Sequence, residues 1–130
     1  MSTNYEFVID SYAWIEYFRG TSSGERAREF VEGGSAATSA ITLAELQENY
    51  IREKWNSFEN DLKFITTKTS VISVDAKISI LAGQINRQNK RKVKDWGMAD
   101  SIILSTARIS FAKVVTGDDH FKDVSEAIMI

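Results

Sequence analysis

The sequence predicts an α/β fold: one three-layer domain with a central, mostly parallel sheet of four to five strands flanked by helices. Three observations carry this. Short apolar runs alternate along the chain with longer segments of helical periodicity, the pattern of strands joined by helical crossovers. The chain has 130 residues, a length that suits a single domain over 1–130, and such a chain buries roughly 65–70% of its unfolded surface. Apolar residues make up 43% and charged residues 26%, and three Trp with seven Phe are too much apolar bulk for a solvated coil.

Each element has its own signal. Tyr5-Glu6-Phe7-Val8-Ile9 is a mostly apolar run ending at Asp10 and reads as a buried first strand. Ser11 can cap a helix carrying Trp14, Ile15 and Phe18, which stops near Gly20. Ser22-Ser23-Gly24 opens a second helix with Ala27, Phe30 and Val31, closed by Gly33-Gly34. Ser35-Ala36-Ala37-Thr38-Ser39 is a second strand of small residues. A third helix starts at Thr42 with Leu43, Leu46 and Tyr50 on one face, and a fourth carries Trp55, Phe58, Leu62 and Ile65 at helical spacing. Val71-Ile72-Ser73-Val74 is a third strand. Asp75 caps a long fifth helix striped by Ile78, Leu81, Ala82 and Ile85. A sixth helix carries Ala99, Ile102, Ile103, Thr106 and Ala107. Lys113-Val114-Val115-Thr116 is a fourth strand running into Gly117-Asp118, and Ala127-Ile128-Met129-Ile130 a fifth. Proline is absent, so the breaks are read from Gly, Ser, Thr and Asp clusters.

Composition removes several chemistries. Without cysteine there are no disulfides, thiol nucleophiles, zinc–thiolate sites or iron–sulfur clusters. A single histidine, His120, excludes a multi-histidine metal site. Met1-Ser2-Thr3-Asn4-Tyr5-Glu6 shows no basic leader, and no apolar run is long enough to span a bilayer. The expected compartment is therefore the reducing cytoplasm, with no membrane partner. A net charge of −2 carries no global signature of nucleic-acid binding, so any such contact must come from a local patch.

In parallel α/β sheets, ligands bind at the carboxyl ends of the strands. Asp10 follows strand one directly and Asp118 follows strand four by two residues. Glu45 and Asp100 fall in the first turns of helices three and six, and helix starts lie on the same rim. Four carboxylates gathered about 5 Å apart would repel by roughly 3 kcal/mol per pair, on the order of 20 kcal/mol in all as an upper bound. Without a counterion some would take up protons. Mg²⁺ or Mn²⁺ suits an all-oxygen site and serves phosphodiester hydrolysis by binding phosphate oxygens and activating water. Each acid also has a plainer reading. Thr42-Leu43-Ala44-Glu45 fits a capping box, Asp100 fits an acidic first turn favoured by the helix dipole, and Asp118 fits a turn. Asp10 is hardest to dismiss, because a carboxylate ending an apolar strand is costly unless paired or metal-bound.

Four segments carry a family resemblance that spans nearly the whole chain. Val8-Ile9-Asp10-Ser11-Tyr12-Ala13-Trp14, Thr42-Leu43-Ala44-Glu45-Leu46, Met98-Ala99-Asp100-Ser101-Ile102-Ile103-Leu104 and Val115-Thr116-Gly117-Asp118-Asp119-His120-Phe121 resemble, in order, the motifs of PIN-domain nucleases. They most resemble VapC-type toxins of toxin–antitoxin pairs. The resemblance implies a metal-dependent endoribonuclease with Asp10, Glu45, Asp100 and Asp118 around Mg²⁺ or Mn²⁺. Ser11 and Thr116 match the family's hydroxyl positions. It also implies an RNA substrate, a cognate antitoxin and a homodimer. Ser101 departs from the family, in which many members carry alanine after the third acid. Asp119 and Asp95 are further acids that can support the site, with Asp118 preferred.

Other features keep two readings. Arg87, Lys90, Arg91, Lys92 and Lys94 place five cations within eight residues. They are either contacts to an RNA backbone or a solvated helix end. His120, beside Phe121, is read as structural ahead of proton transfer. The large apolar groups of helices three and four are either core or a groove for an antitoxin helix or a second copy. Two rival functions remain: a catalytically silent RNA-binding or scaffold domain of the same fold, and a phospho-acceptor receiver domain. The second lacks the paired early acids, since Glu6 is poorly placed.

Overall fold

In the computed structural model, residues 5–130 are described; the reading of the first four residues as leaderless lies outside them. The elements run β1 (Phe7–Ile9), α1 (Ser11–Arg19), α2 (Ser22–Glu32), β2 (Ala36–Ser39), α3 (Ala40–Glu53), α4 (Phe58–Lys68), β3 (Ser70–Ile72), α5 (Ala76–Asn89), α6 (Met98–Ile109), β4 (Lys113–Thr116) and β5 (Ala127–Met129). A short 3₁₀ turn, Asp119–Phe121, follows β4. The five strands form one parallel sheet in the order β3-β2-β1-β4-β5. The expected fold class is the observed one. No helix is long and apolar enough to cross a membrane among the described residues.

Helices cover both faces of this sheet, which is why the central strands read as continuous apolar runs. The period of two decides which face each residue serves. Val8 and Val114 join one core with Ile85, Trp96, Leu104 and Phe121. Their neighbours Ile9 and Val115 join the other, with Trp14, Val31, Leu46 and Ile65. The chain moves outward from β1 to β2 and β3, then returns to place β4 on the other side of β1. The connections after β1 and β4 therefore diverge, leaving a crevice at the carboxyl ends of those two strands.

Several boundaries differ from the sequence expectation, each for a local reason. Asp10, not Ser11, caps α1: its Oδ1 accepts from the Ala13 amide at 2.9 Å. Gly20 closes α1 at φ 68°, a left-handed conformation that glycine adopts without strain. Gly24 is required by close helix packing, since a Cβ there would lie 2.0 Å from the Glu16 carbonyl oxygen of α1. Helix α3 starts at Ala40 and not at Thr42, because β2 runs straight into it and the Ser39 hydroxyl accepts from the Ile41 amide at 3.3 Å. Trp55 lies in the connection before α4. The third strand ends at Ile72, and Asp75 caps α5 as expected, accepting from the Ile78 amide at 2.9 Å.

Ser101 acquires a reason in the fold. Its buried hydroxyl accepts from Trp96 Nε1 at 2.7 Å and donates to Asn86 Oδ1 at 3.0 Å. One side chain thereby ties α5, the α5–α6 connection and α6 together. Replacing Ser101 with Ala strands the buried indole N–H and is expected to lower stability by about 1–3 kcal/mol in chemical denaturation. A loss under about 0.5 kcal/mol, the size of an ordinary surface change, contradicts the bridging role.

Candidate metal centre

The site lies in the crevice between the diverging connections. Asp10 sits where β1 becomes α1, and its residue is only 5% exposed. Two things hold its carboxylate: the Ala13 amide at the start of α1 and the neighbouring Thr116 hydroxyl at the end of β4. Burial nevertheless dominates, and with Asp118 and Glu45 adding like charge it pushes the Asp10 pKa up to about 7. Thr116 is fully buried and also accepts from the Asp118 amide at 2.9 Å, so one hydroxyl links the two strand ends.

Asp118 follows at the mouth of the 3₁₀ turn, where its Oδ1 accepts from the His120 amide at 2.9 Å. Asp100, in the first turn of α6, uses Oδ2 twice: it accepts from the Gly97 amide at 3.0 Å and lies 3.0 Å from His120 Nδ1. The same ring nitrogen is 3.6 Å from Asp118 Oδ1. Asp100, Asp118 and His120 each offer a ligand atom within 4.8 Å of the others. Burial opposes a charged imidazole here. The hydrogen bond to Asp100 and the fields of Asp118, Asp100 and Asp95 outweigh that, and the His120 pKa is raised.

Glu45 approaches from α3 but, like Asp10, lies outside the group of ligand atoms that Asp100, Asp118 and His120 bring together. Since the helix begins at Ala40, Glu45 lies in the second turn, which removes the capping-box reading. Its Oε1 accepts instead from the Ser11 hydroxyl of α1 at 3.3 Å. Burial raises its pKa, the Ser11 bond opposes this, and Asp100 and Asp118 push it further up. Asp118 and Glu45 thus act on Asp10, and Asp100 and Asp118 act on Glu45, linking four separate segments. For Asp100 and Asp118 the plainer readings hold as well: each bonds a nearby backbone amide and also faces the crevice. Asp100 keeps Oδ1 clear of these bonds.

A divalent cation fits this chemistry. The donors are carboxylate oxygens with one imidazole nitrogen, and the most buried carboxylate lacks a cationic side chain among its partners. Thr42, one turn ahead of Glu45, has a buried hydroxyl with no partner among the described residues. His120 is the residue whose place the sequence did not disclose. Read as structural beside Phe121, it stands in the acid cluster because the 3₁₀ turn points Phe121 into the core and His120 back toward Asp100.

The remaining candidates are scattered. Asp119 is exposed, and Asp95 is exposed at φ 63°. The five cations are all exposed; Arg87 lies in the last turn of α5, and Lys90, Arg91, Lys92 and Lys94 lie in the α5–α6 connection. Only Lys92 and Lys94 of the five border a cleft shared with His120. In the helical pair, Leu46 and Tyr50 are core, whereas Trp55 lines two shallow surface clefts and carries Arg19 over its ring at 4.6 Å.

The Asp10 shift has a definite sign in stability. Between its ordinary pKa of 3.8 and about 7 the folded chain binds more protons than the unfolded chain, so stability falls as pH rises through that window. In EDTA this group is expected to cost on the order of 4 kcal/mol by about pH 8. Asp10→Asn keeps a capping oxygen, removes that slope, and should unfold at a higher temperature than the wild type at about pH 8. Parallel pH–stability curves for the two proteins contradict it.

Comparison with known proteins agrees with this fold. Among curated proteins none matches the sequence. The Klebsiella pneumoniae structure described as a toxin–antitoxin complex is 18% identical, with 95% of this chain and 97% of that chain covered at a TM-score of 0.77. Mycobacterium tuberculosis VapC20, described as a sarcin–ricin-loop-cleaving toxin, is 14% identical, with 96% and 98% covered at a TM-score of 0.78. DNA-bound VapBC from Salmonella typhimurium is 25% identical, with 97% of each chain covered at a TM-score of 0.71. The family model of the PIN domain matches residues 7–127, and the chain belongs to that family.

Proposed function

We propose that the protein is a Mg²⁺- or Mn²⁺-dependent endoribonuclease that hydrolyses RNA phosphodiester bonds, and that it is the toxin of a VapBC-type pair. The observation that carries this reading is the gathering of Asp100, Asp118 and His120 within ligand distance of one another at the carboxyl edge of the sheet, with Asp10 and Glu45 close enough to feel the charge of Asp118 and the buried Asp10 driven toward protonation. Asp10, Asp100 and Asp118 would hold the cation, with Glu45 at the rim. The bound ion supplies Lewis acidity toward a phosphate oxygen and lowers the pKa of water.

The chain's own groups then have separate parts. Thr116 orients Asp10 and fixes the Asp118 backbone. Ser11 holds Glu45, whose raised pKa suits it to take a proton from the attacking water. His120 turns Asp100 so that one carboxylate oxygen stays available. The exposed cations between α5 and α6 add attraction for an RNA backbone. An antitoxin partner and a homodimer form part of the same proposal. The described assemblies of the Klebsiella and Salmonella neighbours support the first, and the half-buried Trp55 ring between two mostly polar surface clefts is a contact point open to either.

RNA cleavage is expected to stop in EDTA and return with Mn²⁺ or Mg²⁺. Asp100→Asn should lower it by at least about 100-fold while the fold persists by circular dichroism. Cleavage that survives EDTA contradicts the metal role. No cleavage together with no Mn²⁺ binding points to the catalytically silent RNA-binding domain instead.

A further inference from the structure

His120 borders more than the acid cluster. It also lines a cleft of about 510 Å³ built from the end of α5 and its following connection, Arg108 of α6, and the segment from Asp119 to Ser125. That volume lies within the roughly 300–1,000 Å³ of small-molecule sites. Three kinds of group meet there. Lys92, Lys94 and Lys122 outnumber the carboxylates of Asp119 and Asp123, Arg108 being paired with Glu126. Val93 and Val124, both packed on the core, give it apolar wall. Asn89 is 8% exposed, and among the described residues its side-chain amide makes no hydrogen bond within the fold. An amide offers a donor and an acceptor side by side, which is what the edge of a base requires. Arg108 is anchored by Glu126, Nε to Oε2 at 2.7 Å, which fixes that wall before any ligand arrives.

We propose that this cleft is a nucleotide subsite, holding one RNA nucleotide next to the scissile phosphate. The base lies against Val93 and Val124 with its edge read by Asn89, and Lys92, Lys94 and Lys122 hold the flanking phosphate. The proposal rests on the ribonuclease reading and adds what the acid cluster lacks, a means of preferring one base. A plain anion site needs neither the apolar wall nor the amide of Asn89, which is unpaired among the described residues and opens on the cleft. An acidic peptide would answer the lysines but offers no planar ring for the Val93 and Val124 wall and no base edge for Asn89.

Calorimetry on the full chain in EDTA tests this, with the four ribonucleoside 5′-monophosphates, inorganic phosphate and a glutamate-rich peptide as probes. One nucleotide is expected to bind at least about tenfold tighter than the weakest nucleotide and than phosphate. Lys122→Glu, on an exposed side chain, should weaken all four nucleotides by about tenfold. Asn89→Ala should narrow the spread among them to about threefold or less, with the fold checked by circular dichroism. Equal affinities for the four nucleotides and phosphate overturn the subsite, as does a Lys122→Glu variant that binds like the wild type or a peptide that outbinds every nucleotide. Because no turnover is measured, specific nucleotide binding without RNA cleavage leaves the subsite standing and removes the nuclease. RNA cleavage with featureless nucleotide binding does the reverse.

Discussion

The rest of the structure depends on a carboxylate buried where the central strand gives way to a helix. Asp10 cannot move outward, because its oxygen caps α1 through the Ala13 amide. It cannot shed its neighbours, because Thr116 ties the end of β4 to both Asp10 and Asp118. A parallel sheet with β1 and β4 side by side forces these acids together. Glu45 and Asp100 then arrive on helices whose starts lie on the same rim. What the fold gains in local capping it loses in like-charge repulsion, an imbalance that a cation in the crevice would offset.

Much of this was legible in the sequence, for physical reasons that differ by element. Buried parallel strands are continuous apolar runs, so Val8-Ile9 and Val114-Val115 announced themselves. Helices with a cap and a stripe, such as the one from Asp75 onward, were equally plain. The acids stand out as candidates because strand ends are the parts of a doubly covered sheet where charge has somewhere to go. The placement of Asp10, Glu45, Asp100 and Asp118 on four separate segments followed from topology and needed no knowledge of side-chain contacts.

What stayed hidden depended on short-range geometry. The start of α3 was misplaced by two residues because Ser39 ends a strand and caps a helix at once, a dual role that periodicity does not mark. That small error kept a capping role for Glu45 alive. The place of His120 beside Asp100 was hidden for a similar reason. Adjacent residues in a 3₁₀ turn face different directions, and nothing in His120-Phe121 says which side chain enters the core. Ser101 looked like a neutral departure from a family pattern until Trp96 and Asn86 were seen on either side of its hydroxyl. The cationic run looked uniform, yet the loop divides it, and only part of it reaches the cleft beside the acids.

The central claim is that these carboxylates form one cation site. Anomalous diffraction from crystals grown with Mn²⁺ addresses it without relying on turnover or stability. The expected result is a peak within coordination distance of Asp10, Asp100 or Asp118 oxygens, between the ends of β1 and β4. A map with no peak in that crevice, or with manganese bound only elsewhere on the surface, contradicts it.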